Sequence, residues 1–152
     1  MKARKLLRSQ SGAAIVEFAL IAPVLISLVI GLIEIGRYTY IGIVAAHAAE
    51  AGAVYASQSI ATSQNSSGTQ SAVSADSSNI TWAHVTPTPY CSQNGTVVTC
   101  PTTANTTLDT SNGLVYYVTV KVTGTYYSLL NYPGIPTGIP VTASATMRVL
   151  AQ

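Results

Sequence analysis

Apolar and polar positions follow three rhythms along the chain. From Ala13 to Ile33 the residues are almost all apolar, with Glu17 as the only charge, and at ~1.5 Å of rise per residue a helix of that length spans roughly 30 Å, a bilayer core. This run predicts a membrane-spanning helix. The stretch that follows, YTYIGIVAAHAAEAGAVYAS, is Ala-rich and extends the helix to about residue 59. Within it Gly42, Ala46, Ala49 and Ala53 recur at helical spacing, a stripe of small residues that allows close approach of another helix.

Residues 57–79 are Ser/Thr/Gln-rich and low in complexity, and they read as a loop, with a polar linker over 60–79. Beyond it the period changes to two. NITWAHVT is a candidate first strand, with Trp82 as a packing residue. In GLVYYVTVKVTGTYY, Val118, Val120 and Val122 fall on one face and Thr119, Lys121 and Thr123 on the other, the alternation of a half-buried strand. A Pro/Gly loop then leads to a closing strand, VTASATMRVLA, so strands 114–127 and 141–150 are expected to pair antiparallel and cover the helix. The fold class is α+β: one long N-terminal helix followed by a small antiparallel β-sheet head over 80–152.

Charge sharpens this picture. Lys2, Arg4, Lys5 and Arg8 are four of the seven Lys and Arg residues, and all precede Gly12. From Ala13 onward Arg37, Lys121 and Arg148 face five acidic residues. A short basic flank beside an apolar run is a topology signal, placing residues 1–12 in the cytoplasm and the residues after Arg37 outside. It is not a nucleic-acid-binding face, and no nucleic-acid partner is expected.

The two cysteines, Cys91 and Cys100, fit a disulfide formed in an oxidising compartment. Asn94-Gly95 between them is a strong turn signal. A two-residue turn there sets Cys91 opposite Val98, so directly facing cysteines require a four-residue loop, Asn94 to Val97, or a bulge. Two thiols with the scattered His47 and His84 offer no zinc-ligand spacing, and no metal or cofactor is expected.

Three explanations of the apolar run compete. A secretory signal peptide has a shorter core and a nearby cleavage site, whereas Ala46-His47-Ala48 lies far downstream. A plain uncleaved anchor accounts for length and orientation but not for Glu17, since a carboxylate at a helix centre costs about 3 kcal/mol on insertion scales. A chain cut after Gly12 makes Ala13 the new N terminus, with Glu17 one turn further on the same face. The carboxylate then has a positive partner, its own amine or that of a neighbouring subunit, and the helix dipole favours it there.

The stretch SGAAIVEFALIAPVLISLVIGLIEIGR, with its basic leader, Gly12, Val16-Glu17-Phe18, Pro23 and the closing Glu34-Ile35-Gly36-Arg37, resembles the N-terminal signature of TadE-like proteins. These are minor pilins or pseudopilins of the tight adherence (Tad, Flp-type) pilus, a branch of the type IV pilus superfamily. SATMRVLA at 144–151 is similar to the family's last strand. The resemblance implies cleavage of a leader, 1–12, by a prepilin peptidase between Gly12 and Ala13. It also implies that Glu17 serves subunit registration, with Phe18 in the position often held by Phe or Tyr. Its partners would be other pilin or pseudopilin subunits and the inner-membrane assembly platform, and its role would lie in pilus biogenesis and surface adherence.

No catalytic pattern competes with this. The chain lacks a G-x-S-x-G elbow, a phosphate loop and an H-E-x-x-H pair, so no enzyme activity is expected. The alternative role is an uncleaved single-pass membrane protein whose disulfide-bonded head binds a partner. A third is a soluble domain released near Ala48.

Overall fold

A computed structural model describes residues 11–77, 80–100, 113–129 and 137–150. Helix α1, Ser11–Ala56, leads into two short helices, α2 (Ile60–Ser63) and α3 (Ser66–Asp76). Strands β1 (His84–Gln93), β2 (Thr96–Val98), β3 (Leu114–Tyr127) and β4 (Gly138–Arg148) follow. They form one antiparallel sheet in the order β2-β1-β3-β4. The long helix and small antiparallel head expected from the hydrophobic pattern are therefore both present. Most of the basic leader lies outside the described residues.

The chain divides into two compact units, Met1–Arg37 and Tyr38–Gln152. The second unit takes in the C-terminal half of α1 as well as the sheet. Its core is small-on-large. Ala45, Ala48, Ala49, Ala53 and Ala56 of α1 are buried, and across from them stand Val118, Val120 and Val122 of β3. Burial thus follows the strand alternation, with every second β3 side chain inward.

The stripe of small residues meets the sheet and α3, not another long helix. Ala46 is exposed, and the residue closest to its neighbours is Gly52. A Cβ built there would lie 2.8 Å from Val73 Cγ2 and 3.0 Å from Val120 Cγ1. Both valines are fully buried and β-branched, so neither can swing aside. Gly52→Ala is therefore expected to lower head stability by about 1–2 kcal/mol despite the better helix propensity of alanine. Thermal or urea unfolding of the variant measures it; an unchanged midpoint would show that the helix–sheet spacing is slack.

The polar segment 60–79 is a correction: it is largely helical. Asn65 caps α3 by accepting a hydrogen bond from the Gly68 N–H, and Ser59 and Thr62 form a reciprocal capping box around α2. Thr69 and Val73, four residues apart and fully buried, dock α3 against Gly52. Hydroxyl groups that compete with helix formation in isolation instead bond back to carbonyls one turn earlier, as Thr69 does to Asn65 and Ser71 to Ser67. Tertiary packing of two side chains overrides a weak local preference.

The first strand also differs from expectation. It begins at His84, so most of NITWAHVT precedes it. Trp82 is a packing residue: it is buried, its indole N–H donates to Ser77 Oγ, and its ring lies close over Gly124. Strand β1 instead runs through Pro87 and Pro89, which pair with Val120 and Val118. Two prolines two residues apart lack donors on the same side of a strand. Only Cys91, Ser92 and Gln93 of β1 pair with β2. Among the described residues no strand pairs with the other edge of β1 at these prolines, so a missing N–H there leaves no described ladder bond unmade.

At the hairpin, Asn94 (φ 52) and Gly95 (φ 83) form the two-residue turn, and Cys91 pairs with Val98. The disulfide forms all the same, with Cys91 and Cys100 Cα atoms 5.1 Å apart. Neither a four-residue loop nor a bulge is needed: β2 ends at Val98, and Cys100, two positions on, reaches Cys91 diagonally. At the same end of the sheet, on its opposite edge, the Leu150 N–H donates to the Ser57 carbonyl, joining the residues after β4 to the end of α1.

Candidate assembly site in the apolar helix

The described part of the first unit, residues 11–37, is a single helical segment whose apolar side chains surround the axis. Ile15, Phe18, Leu20, Ile21, Val24, Leu25 and Leu28 are all exposed, and a helix apolar all round is built for lipid or for other subunits. No residue of its most apolar window is buried, and its length and composition suffice to cross a membrane.

Glu17 interrupts this surface one turn into the helix. Gly12, Ala13, Glu17 and Phe18 all lie in α1 and are exposed, Phe18 at 68%. The Gly12–Ala13 peptide bond lies at the start of the helix, and Glu17 follows Ala13 by four residues, so their Cβ atoms are neighbours on one face, about 5–6 Å apart. Pro23 is accommodated within α1. It cannot donate to the carbonyl of Ala19, and Ser27 Oγ donates to the Pro23 carbonyl at 2.8 Å. The geometry places a carboxylate one turn after Ala13 on a helix whose neighbouring side chains are apolar.

The model of the TadE-like protein family matches residues 12–54. Residues 12–54 are TadE-like. The TadE-like segment begins at Gly12 and ends two residues short of the end of α1. It associates the chain with the Tad pilus and with pilus-related partners, and its long apolar helix fits a membrane anchor in such a protein. The patch at 144–151 lies outside the match. Comparisons with curated proteins and with solved structures gave no match.

In the head, Cys91 and Cys100 are joined, as an even pair of cysteines in a polar, Ser/Thr/Asn-rich region suggested. Among the described residues no three His, Cys, Asp or Glu side chains come together in a way that could hold a metal ion. His47 is exposed and lies 3.7 Å from the Glu50 carboxylate.

One arrangement was missed by sequence reasoning. Lys121 and Arg148 are the only Lys or Arg after Arg37, and both are exposed on the outward side of the sheet. The signal was present in the alternation of β3, which puts Lys121 out. It stayed hidden because the register that brings Arg148 level with Tyr117 is not written locally.

Proposed function

We propose that the chain is a prepilin-like structural and assembly subunit, a minor pilin or pseudopilin, of a Tad/Flp-type pilus. It is held in the inner membrane with its N terminus cytoplasmic and its head periplasmic or extracellular. A membrane prepilin peptidase cuts it between Gly12 and Ala13, and the mature subunit joins or primes the pilus and contributes to surface adherence. It acts through subunit contacts, with no catalysis of its own.

The observation that carries this reading is Glu17, placed one turn after Ala13 on a helix otherwise apolar up to Ile33. A carboxylate there is costly in lipid and favourable beside a terminal amine. The TadE-like match beginning at Gly12 supports the same boundary.

Intact-mass and N-terminal peptide mass spectrometry of the chain extracted from its native membrane tests the proposal. The expected mature chain begins at Ala13. A chain still beginning at Met1 in cells that contain the peptidase would instead favour an uncleaved single-pass protein with an extracytoplasmic binding head.

A further inference from the structure

We infer that the outward face of the sheet binds an anionic polysaccharide. Tyr90, Tyr117 and Arg148 stand level across β1, β3 and β4. The two phenol rings stack at 5.3 Å with their planes 15° apart. Next along the sheet on the same face, Thr119 and Thr146 share a hydrogen bond of 2.7 Å, and Lys121 follows.

Charge selects the ligand. Strands β1, β3 and β4 contain no acidic residue, and their two cations project from the same face. Lys121 lies four residues along β3 from the Arg148 register, about 14 Å at ~3.4 Å per residue. That exceeds the ~8 Å screening length of physiological salt, so each cation meets its own anionic group. A polymer with repeating carboxylates satisfies both at once, while the hydroxyl row between them and the phenols level with Arg148 suit the hydroxyls and C–H surfaces of sugar rings.

Other polyanions fit less well. Outward positions 117–125 of β3 and 142–148 of β4 carry no aliphatic side chain to enter a lipid surface. Duplex DNA keeps its base faces stacked inside the helix and offers the phenols no sugar-ring face, so two cations would have to hold it by charge alone, with too few counterions released at physiological salt. This inference concerns the head alone and does not depend on pilus assembly, so the two can fail separately.

The test uses the full chain in neutral phosphatidylcholine nanodiscs. Polygalacturonate is the probe, with dextran, duplex DNA and phosphatidylglycerol vesicles as comparisons. Binding to polygalacturonate that weakens with added salt is expected, with little to dextran, DNA or the vesicles. The Lys121→Gln/Arg148→Gln double variant should lose about ten-fold or more in affinity, and Lys121→Arg should retain it. Both residues are exposed, and circular dichroism verifies that the variants stay folded. No polygalacturonate binding, unchanged binding by the double variant, or equal or tighter binding to any comparison ligand overturns the inference.

Discussion

Glu17→Ala is expected to leave the chain inserted in the membrane and to abolish pilus assembly. Removing a carboxylate from an apolar helix makes insertion easier, since the charged form is the costly one in lipid. On the proposed cleavage after Gly12, what is lost is the partner of the new amine at Ala13. In an apolar, water-poor surround an unpaired ammonium is far more costly than in solution, and subunits that cannot pair it have no preferred axial register. Membrane fractionation and electron microscopy of the same cells separate the two effects. Glu17→Asp, which keeps the charge but shortens the reach, should assemble partially. Normal piliation by Glu17→Ala would remove the registration role and leave Glu17 as an ordinary feature of an anchor helix.

The second large effect is expected at the hairpin. Replacing Cys91 and Cys100 together by alanine should lower head stability by roughly 2–3 kcal/mol, the chain-entropy value for a loop of this length. Strand β2 has three residues and pairs with β1 alone, so the disulfide is the main constraint holding the outer end of the sheet. Cys91 is fully buried while its inward neighbours are Tyr116 and Leu114, so loss of the sulfur also leaves a small void in the core. Urea unfolding of the oxidised, reduced and double-alanine chains measures the effect. Equal midpoints for all three would mean that the turn at Asn94-Gly95 alone keeps β2 in register.

These two sites were the most legible parts of the sequence, and for a shared reason. Each is a local signal: one charge in an apolar run, and two cysteines flanking an Asn-Gly turn. The strand at 114–127 was equally legible because its alternation is complete within fourteen residues. The helix α3 was not, because Thr69 and Val73 gain their burial from distant segments, Gly52 of α1 and the sheet. Strand β1 was obscured by Pro87 and Pro89, residues that argue against a strand unless one edge is known to be open. The outward cations belong to the same class, since Lys121 and Arg148 share a face only once β3 and β4 are in register. The pairing of β3 with β4 was expected from their patterns, but the exact register between distant segments was not written locally.

The open side of β1 has a consequence for how such chains associate. A sheet margin with free N–H and C=O groups is a template on which a second chain can crystallise as an extra strand, and crowding in a membrane makes that encounter frequent. Pro87 and Pro89 deprive that margin of two donors along the stretch that β2 leaves uncovered. On the proposed assembly through the helix, the chain thus carries a brake on fusing with its neighbours through this margin of the sheet. Productive polymerisation and amyloid-like stacking are kept on different surfaces, so crowding that promotes the first need not feed the second along this margin.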